Sequence, residues 1–389
     1  MSAALMSNIR PGYGLLAKLH LRLMRGRPEM DVLAVLLLAT VCLLGGLGLM
    51  LNHAVRDMFL RSGDASVLLV TARGSSGEVE SFVKSLSMPA LKGALTEAGF
   101  KDLALNEQLV ISSSITEGGR QKFLAVRGAA ASQLQKLGGV RMVDGRMYAA
   151  DRNELIVGRA AARAFPSFKP GARIELAQQQ WLITGVFEMQ GDVRENEVVG
   201  DLQRVQYVYG AHGIVSSVRI AAAGGAGEVA RMAEAINADD ELEFSADSEA
   251  EYFEQQSRPV LKSVVRLQIL IMGLMIPAAL LGLLSIQRVQ NMNMLAELRM
   301  LSFIGFQARS IRMSLLVRAL ALGVVAGLAV CTVVGLGVAG RSVELEMGLQ
   351  VLDIRFQAAP WIYAAIVAAS CMLSAAAALL SNIEKDLYQ

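Results

Sequence analysis

The chain is poor in cysteine and histidine, and the positions of these residues exclude several kinds of site. The three cysteines are Cys42, Cys331 and Cys371, and the three histidines are His20, His53 and His212. All three cysteines lie in apolar runs, so no disulfide framework is predicted, and we expect the thiols to fill small spaces in an apolar core. The histidines are scattered without the paired spacing of a metal site.

Motifs for nucleotide binding and for covalent catalysis are also missing. The sequence has no G-x-x-x-x-G-K-[ST] loop to hold the phosphates of ATP, no G-x-S-x-G turn and no Cys/His pairing. A net charge of +2 leaves no basic surplus for nucleic-acid binding. The acidic run 239–243 reads as a solvated loop, with a divalent-cation site as the less favoured alternative. We therefore expect no catalytic residue, no metal and no cofactor on this chain, which is predicted not to be an enzyme.

What the chain has in abundance is apolar residues, at 53% of its 389 residues and a mean hydropathy of +0.43. These values are typical of membrane proteins. Four runs lack any charge, namely Val32–Leu51, Leu267–Ile286, Ala319–Gly340 and Pro360–Leu380. At about 1.5 Å per residue, each is long enough to cross the roughly 30 Å hydrocarbon core. The first run is too long for a secretory signal and is predicted to be an uncleaved anchor.

The distribution of charge between these runs predicts the topology. Residues 1–30 and 288–318 carry five Lys or Arg each, whereas 341–359 carries two against three acidic residues. The positive-inside rule then places both termini and 288–318 in the cytoplasm. The predicted segments are a cytoplasmic amphipathic N-terminal helix (1–30), a first membrane helix (31–54), a large external domain with a stalk (55–262), a second membrane helix (263–287), a cytoplasmic coupling loop (288–318), a third membrane helix (319–340), a short external loop (341–359), a fourth membrane helix (360–381) and a cytoplasmic tail (382–389).

The large segment between the first two membrane helices has the patterns of an α+β domain. Strands are predicted over Val67–Thr71, Leu109–Thr116, Lys122–Arg127, Glu154–Val157, Arg173–Ala177, Trp181–Phe187 and Ser217–Ala221, and helices over Glu78–Leu86, Ala90–Ala98 and Glu228–Asn237. Residues 117–120 between the second and third strands predict a β-hairpin. From about Ser248 to Arg266 a helical pattern leads into the second membrane helix, so we expect a continuous stalk that bears Tyr252, Gln255 and Gln256 near its start. The fold class is therefore a membrane protein with four transmembrane α-helices and an α+β domain inserted between the first and second.

Glycines in two of the predicted membrane helices favour close helix packing. The first helix contains Gly45, Gly46 and Gly48, and the third contains Gly323 and Gly327 at GxxxG spacing. In a bundle of several helices this spacing more often serves internal packing than a dimer interface. No charge lies inside any of the four apolar runs, which disfavours an ion-coupled carrier with an intramembrane carboxylate.

The cytoplasmic segment 288–318 predicts a helix, a break and a second helix. Met294, Leu298 and Leu301 fall at i, i+4 and i+7, and Gly305 stands where one helix would end and another begin. We interpret this elbow as the contact for a separate motor protein. The N-terminal 1–30, with leucines on one face and basic residues on the other, predicts a helix on the inner leaflet; a solvated amphipathic helix is the alternative.

The order of several motifs resembles one family. The stretches concerned are Glu297–Phe306, Val126–Gly128, Gly145–Arg146, Glu154–Gly158, Pro170–Gly171, Trp181–Phe187, Glu195–Asp201 and Glu251–Ser257. Together they resemble the ABC transporter permeases of the macrolide-exporter (MacB) and lipoprotein-release type, also called FtsX-like or type VII permeases. The chain departs from the family's usual Arg-Ala at Ser302 and Phe303.

The resemblance implies a mechanotransmission machine in the bacterial inner membrane, with the α+β domain in the periplasm. Its expected partners are a cytosolic ABC ATPase that binds ATP and Mg, a second permease chain of the same or another sequence, membrane lipid, and a periplasmic adaptor with an outer-membrane channel. The resemblance assigns contact with the ATPase to Glu297, Arg299, Leu301, Gly305, Phe306 and Arg309.

Three functions stay open on the sequence. The first is export or extraction of a lipophilic or lipoprotein-like cargo. The second is a non-transport transducer that activates a periplasmic enzyme, as FtsX-like cell-division members do, although their external domains are smaller. The third is a membrane scaffold or receptor without a motor. A copurifying ATPase would exclude the third, and an adaptor or bound lipid would separate the first from the second.

Overall fold

A computed structural model of the chain describes residues 28–117, 119–137, 139–294, 308–347, 350–357 and 359–381. The chain divides into two compact units. A helical unit comprises residues 1–53, 263–341 and 356–389, and an α+β unit comprises 54–262 and 342–355. The amphipathic helix predicted over 1–30 lies almost entirely outside the described residues, as does the tail 382–389.

Four helices are long and apolar enough to cross a membrane. They are α1 (Pro28–Ser62), α7 (Glu249–Asn293), α8 (Ala308–Gly337) and α9 (Pro360–Leu380). Each contains all or most of one predicted apolar run. Helix α8 ends at Gly337, three residues before the predicted end, and Gly340 follows at a φ of +82° that favours glycine. Helices α1 and α7 each continue from the helical unit into the α+β unit.

Small residues allow the helices of the helical unit to approach closely. A Cβ added at Gly323 would lie 2.8 Å from the Cα of Cys371, and one at Gly327 would lie 2.9 Å from the Cα of Val367. Two serines of α9 reinforce this contact, because Ser370 Oγ donates to the carbonyl of Gly323 at 2.7 Å and Ser374 Oγ donates to that of Ala319 at 2.6 Å.

Glycines of α1 meet the other helices in the same way. Added Cβ atoms at Gly46 and Gly48 would meet Ile366 at 2.8 Å and Gln268 at 2.6 Å, while Gly45 has an ordinary van der Waals contact with Met272 at 3.4 Å. Cys42 is buried among apolar side chains, and all three cysteines are free thiols.

The α+β unit is built on a ten-stranded mixed sheet in the order β12-β1-β11-β3-β4-β9-β6-β8-β5, with β7 beside β8. Its strands are β1 (Val67–Ala72), β3 (Asn106–Glu117), β4 (Arg120–Ala129), β5 (Arg141–Gly145), β6 (Glu154–Gly158), β7 (Arg173–Leu176), β8 (Gln179–Glu188), β9 (Glu197–Asp201), β11 (Ser217–Ala221) and β12 (Phe244–Ser248). The pairs β4–β9 and β6–β8 are parallel, and the other pairs are antiparallel. Strand β3 joins the two halves of the sheet, since its first residues pair with β11 and the rest pair with β4.

Short helices cover this sheet. They are α2 (Met88–Glu97), α3 (Ala131–Leu137), α4 (Arg159–Ala164), α5 (Leu202–Val208) and α6 (Ala226–Asn237). One hydrophobic core forms where α2 and α6 pack on β1, β11 and β12. A second surrounds the fully buried Trp181 and includes residues of α4, β4, β6 and β9. The unit is therefore an α+β domain, as the sequence predicts.

The predicted helix Glu78–Leu86 is wrong. The structure has a 3-10 turn at Glu78–Glu80, a short strand β2 (Val83–Lys84) and a second turn at Ser85–Ser87. Strand β2 pairs with β10 (Ile214–Val215), and Ser81 Oγ accepts from the backbone N–H of Ala72 at 2.8 Å. These tertiary contacts outweigh the weak helical pattern of the segment.

The segment between α8 and α9, predicted as a short loop, contains a β-hairpin. Strands β13 (Ser342–Met347) and β14 (Gln350–Arg355) pair in antiparallel register, with Ser342 opposite Arg355. The hairpin belongs to the α+β unit, where β14 lies against β4 and α4. The α+β unit is therefore assembled from two separate segments of the chain.

Candidate functional site at the start of helix α7

The first two turns of α7 are attached to the α+β unit along one helical face. Glu249, Tyr252, Phe253 and Gln256 occupy positions i, i+3, i+4 and i+7, which fall on the same side of a helix. Tyr252 Oη accepts from the backbone N–H of Glu78 at 2.8 Å, and Gln256 Nε2 donates to the carbonyl of Ser76. The stalk that the sequence predicts thus begins with a row of side chains that hold it to the domain.

Glu249 is the most buried member of this row, with its side chain only 2% exposed. Its Oε1 accepts from Arg219 Nε at 2.8 Å and from Arg194 Nη1 at 3.0 Å. Its Oε2 accepts from the backbone N–H of Asp64 at 3.2 Å. A single carboxylate therefore connects the start of α7 to strand β11, to the 3-10 turn Val193–Asn196 and to the segment after α1.

Arg194 connects the same turn to the end of α1. Its Nη2 donates to the carbonyl of Ser62 at 3.0 Å, while Ser62 Oγ accepts from the backbone N–H of Val193 at 2.7 Å. Asp192 caps the turn and pairs with the Arg194 guanidinium, which also lies 5.7 Å from the ring centre of Phe253. Burial alone would lower the pKa of Arg194, but the carboxylates of Asp192 and Glu249 raise it above its ordinary value.

The end of α1 and the start of α7 also meet backbone to backbone. A Cβ added at Gly63 would lie 2.3 Å from the Cα of Ala250, closer than two such atoms can approach. Only a glycine leaves room for this contact. The residue after α1 and the first turn of α7 are thus in direct contact within the α+β unit.

A second group of buried charges is connected to Glu249 through Arg219. Arg127 Nε and Nη2 donate to Glu197 at 2.6 and 2.9 Å, and Nη1 and Nη2 donate to Glu78 at 3.0 Å each. Arg127 Nη1 also donates to Gln108 Oε1 at 2.8 Å. Arg219 donates to Gln108 and to Glu78 and so connects this group to Glu249. We call the connected side chains the ionic joint; its members are Glu78, Gln108, Arg127, Asp192, Arg194, Glu197, Arg219 and Glu249.

Strand alternation explains why these polar residues come together. Gln108, Arg127 and Arg219 lie on β3, β4 and β11, which are neighbours in the sheet. The residues beside them in sequence, such as Val126 and Val218, point to the opposite face and enter the two cores. The face opposite those cores is therefore polar at the centre of the sheet, where β3 joins its two halves.

The charges of the ionic joint compensate one another away from water. Arg127 is 3% exposed and Glu78 is 7% exposed at their side chains. Burial would raise the pKa of Glu78, but Arg127 and Arg219 hold it well below its ordinary value of 4.5. Burial would lower the pKa of Arg127, but Glu197 and Glu78 raise it. Burial and the charge of Glu78 together raise the pKa of Tyr252. Glu78 and Arg127 therefore both keep their charges at neutral pH.

The residues expected to contact an ATPase lie mostly beyond what the structure describes. Glu297, Arg299, Leu301, Gly305 and Phe306 are outside the described residues, and Arg309 is described only as part of the backbone of α8. Their role stays a prediction. Within the described ranges no group of His, Cys, Asp or Glu could hold a metal ion, and in the acidic run 239–243 Asp240 pairs with Arg73 at 3.3 Å.

Sequence reasoning missed the ionic joint, although one signal for it was present. Arg219 stands between apolar neighbours inside a predicted strand, and Arg127 ends a predicted strand directly after Val126; at such positions an arginine must be buried with a partner. Their acidic partners come from distant segments, Glu78 from a stretch mispredicted as a helix and Glu197 from a strand that was not predicted. The apolar residues around these arginines could therefore predict that they are buried, but not which acidic residues pair with them.

Comparison with known proteins finds likeness only among solved structures. No protein-family model matches the chain, and no curated protein matches it. The periplasmic region of MacB from Actinobacillus actinomycetemcomitans matches at 13% identity and a TM-score of 0.37, over 51% of this chain and 94% of that chain. The extracellular domain of the noncanonic ABC-type transporter YknZ from Gram-positive bacteria matches at 14% identity and a TM-score of 0.35, over 47% and 100% of the two chains. A domain of a candidate permease protein from Porphyromonas gingivalis matches at 13% identity and a TM-score of 0.30, over 49% and 91%.

Proposed function

We propose that this chain is the permease subunit of an ATP-driven ABC transporter of the MacB and FtsX-like type, and that it relays the motion of a separate cytosolic ATPase to its α+β domain. The proposal is supported by the order of the family motifs along the sequence and by four helices long enough to cross a bilayer. In this proposal the helices lie in the bacterial inner membrane, the α+β domain lies in the periplasm and both termini are cytoplasmic.

The observation that carries the proposal is the continuity of α7. This single helix of 45 residues begins in the ionic joint and ends at Asn293, inside the predicted coupling segment 288–318 and before Glu297, the first residue assigned to ATPase contact. A helix transmits displacement along its axis, because hydrogen bonds between successive turns fix its rise; the ladder of α7 lacks one donor each at Pro259 and Pro277, but the helix continues through both. A buried network at its start resists slippage, since separating paired charges that are out of water costs several kcal/mol.

The chain's own residues then have defined roles. The loop 288–318 receives the stroke, α7 carries it, and the joint of Glu249 with Arg194 and Arg219 passes it to the sheet of the α+β domain. Helix α1 moves with α7, because Gly63 and Ser62 attach its end to the same joint. Two copies, or one copy with a related permease, would flank a pair of ATPase subunits. The cargo is a lipophilic or lipoprotein-like molecule handled outside the bilayer.

The first test is the membrane topology, measured by labelling single cysteines. It needs few changes, because the chain has only three cysteines of its own. In a full-length chain with Cys42, Cys331 and Cys371 replaced by alanine, we introduce Lys101→Cys in the α+β unit or Met292→Cys at the end of α7; both positions are exposed. A membrane-impermeant maleimide added to intact cells with a permeable outer membrane should label Lys101→Cys alone. Labelling of Met292→Cys alone would overturn the proposed orientation.

Copurification is the second test. A tagged full-length chain extracted from native membranes in mild detergent should bring down a nucleotide-hydrolysing subunit, and the complex should hydrolyse ATP. A complex without ATP hydrolysis would contradict the proposal in favour of a scaffold or receptor. A copurifying periplasmic adaptor or bound lipid would support export or extraction of cargo, whereas a periplasmic enzyme would support the non-transport transducer instead.

A further inference from the structure

A polar cluster in the helical unit joins the first turn of α1 to α7 and α8. Asp31 Oδ1 accepts from Arg318 Nη2 at 2.7 Å and from Gln290 Nε2 at 3.0 Å. The side chains of Arg318 and Asp31 are only 9% and 11% exposed. Asp31 and Arg318 directly precede the apolar runs predicted from Val32 and Ala319, so each charge lies at the N-terminal end of an apolar run. Asp31 also interacts favourably with the positive end of the α1 dipole.

This cluster leaves one donor and one acceptor unpaired. Among the described residues, Arg318 Nε and Gln287 Oε1 are buried atoms without a hydrogen-bond partner. Arg318 uses its other nitrogens for Asp31 and for the sulfur of Met294, so the Nε–H is left over. A buried polar group without a partner costs about 1–3 kcal/mol, and native structures rarely leave one unpaired.

Both unpaired atoms belong to residues that line the same small cavity. Its volume is about 30 Å³, and Gln287, Gln290, Arg318, Ser374 and Ser381 supply polar side chains to its wall. A cavity needs about 10–15 Å³ to hold one water molecule, together with two or more polar partners. The space and the polarity of this cavity both meet that requirement.

We propose that this cavity is a binding site for ordered water, which accepts a hydrogen bond from Arg318 Nε–H and donates one to Gln287 Oε1. The water completes a polar latch, formed by Asp31, Gln287, Gln290 and Arg318, that joins α1, α7 and α8. The latch stabilises the helical unit where α1 meets the C-terminal part of α7 and α8. This inference does not depend on the proposed function, because hydration of the cavity requires no ATPase and no cargo.

Two substitutions each remove one of the two hydrogen bonds to the water while preserving most of the side chain. Gln287→Met removes the acceptor, and Arg318→Lys removes the Nε donor but keeps a cation for Asp31. If water links the two groups, the losses in thermal midpoint are not additive, and the double variant loses about 2–4 °C less than the sum of the single variants. A thiol-reactive dye gives the midpoint for the full-length chain, because Cys42, Cys331 and Cys371 all lie in the helical unit.

Gln268→Met combined with Arg318→Lys is the matched control. Gln268 also lies in α7, but it donates directly to the carbonyl of Gly45 at 3.3 Å and does not line the cavity. Gln268 lies 19 residues before Gln287 on the same helix, about 28 Å away from it. The losses in thermal midpoint caused by Gln268→Met and Arg318→Lys are therefore expected to be additive. If the losses in thermal midpoint are additive for Gln287→Met with Arg318→Lys as well, the proposal is overturned.

X-ray radiolytic footprinting in ¹⁸O-water detects the water itself. Hydroxyl radicals formed from bound water should oxidise Leu283 and Leu322 in the cavity wall of the full-length chain. Leu38 is fully buried in the helical unit and is absent from the cavity lining, so it should stay unmodified. Gln287→Met should remove the oxidation at Leu283 and Leu322. Oxidation of these two leucines no greater than that of Leu38 in the unsubstituted chain would show a dry cavity and refute the site.

Discussion

Arg194 donates to Glu249 across 3.0 Å, and the Glu249 side chain is only 2% exposed while that of Arg194 is 13% exposed. Glu249 is the first residue of α7, and Arg194 lies in the turn that holds the end of α1. One ion pair therefore fixes two long helices to the same point of the α+β unit. A buried pair of this kind does not by itself imply extra stability, but removing one partner leaves an uncompensated charge.

Glu249→Gln is therefore expected to destabilise the α+β unit. The substitution keeps the size of the side chain and leaves Arg194 and Arg219 without their shared anion, at a cost of about 3–5 kcal/mol. Trp181, fully buried in this unit, reports unfolding by fluorescence in urea once Trp361 of the helical unit is replaced by phenylalanine. The exposed Glu251→Gln, two residues further on, is the control and should leave the midpoint unchanged. Equal midpoints for the two variants would contradict the assigned role of Glu249.

Gly63→Ala tests the backbone contact between α1 and α7. The new methyl group would meet the Cα of Ala250 at 2.3 Å, so the two chain segments must separate, and overpacking of this kind costs about 1–3 kcal/mol. Gly227→Ala is the matched control in helix α6 of the same unit, where an added Cβ meets nothing within 4 Å. The control should be neutral or slightly stabilising, because alanine favours helix over glycine by about 1 kcal/mol. A Gly63→Ala protein as stable as the control would show that the contact is not tight.

Acid should weaken the ionic joint in a defined pH range. Since the pKa of Glu78 is held well below its ordinary value of 4.5, its contribution to stability is complete above about pH 4.5 and is lost as pH falls through the lower folded value. Glu78→Gln should therefore be less stable than the unsubstituted chain at pH 7. The difference between the two should shrink progressively below pH 4.5, because the carboxyl group binds a proton there in the unfolded chain but not yet in the folded one. Urea midpoints read from Trp181 between pH 3 and 7 measure this, and a difference that grows toward low pH would contradict it.

Gly323→Ala tests the close packing of α8 on α9. The added Cβ would lie 2.8 Å from the Cα of Cys371 and 3.0 Å from the carbonyl oxygen of Ser370, and neither backbone atom can move without shifting a helix. We expect a lower thermal midpoint and faster reaction of Cys371 with a thiol-reactive dye. Gly273→Ala in α7 is the control, because an added Cβ there meets nothing within 4 Å. The same dye kinetics for both variants would argue against tight packing at Gly323.

The sequence predicts the elements of this fold better than it predicts their connections. Strand Ser217–Ala221 is observed with the predicted bounds, because alternating residues such as Val218 and Arg219 give an unambiguous period of two. The hairpin of β3 and β4 is also observed, with Glu117 opposite Arg120. Periodicity within a segment is a local property, and local properties can be read from one sequence.

Long-range pairing is what the sequence could not provide. Glu78 lies in a segment predicted to be helical. In the structure it begins a 3-10 turn, and its buried carboxylate forms ion pairs with Arg127 and Arg219. The hairpin of β13 and β14 forms a two-stranded sheet of its own, yet it belongs to the α+β unit, whose main sheet ends with Phe244–Ser248. Burial of an arginine can be inferred from its apolar neighbours in sequence. Its acidic partner cannot, because that residue comes from a distant segment that only the folded chain brings near.

Charge reversal in the loop 288–318 tests the proposed relay at its input. Glu297→Arg combined with Arg299→Glu keeps the net charge but inverts the pattern that the family resemblance assigns to ATPase contact. We expect stimulated ATP hydrolysis by the complex to be lost while the chain still inserts into the membrane, because like charges would then face each other across the contact. The control is Glu254→Arg combined with Arg258→Glu. In the unsubstituted chain these two exposed residues of α7 form an ion pair, with 3.4 Å between Arg258 Nη2 and Glu254 Oε1. The double substitution swaps the two residues and so keeps both the pair and the net charge. Since that pair lies within the α+β unit, its exchange should leave hydrolysis unchanged. Full hydrolysis by the loop variant would show that the motor contacts other residues, whereas loss of hydrolysis in both variants would point to general misfolding.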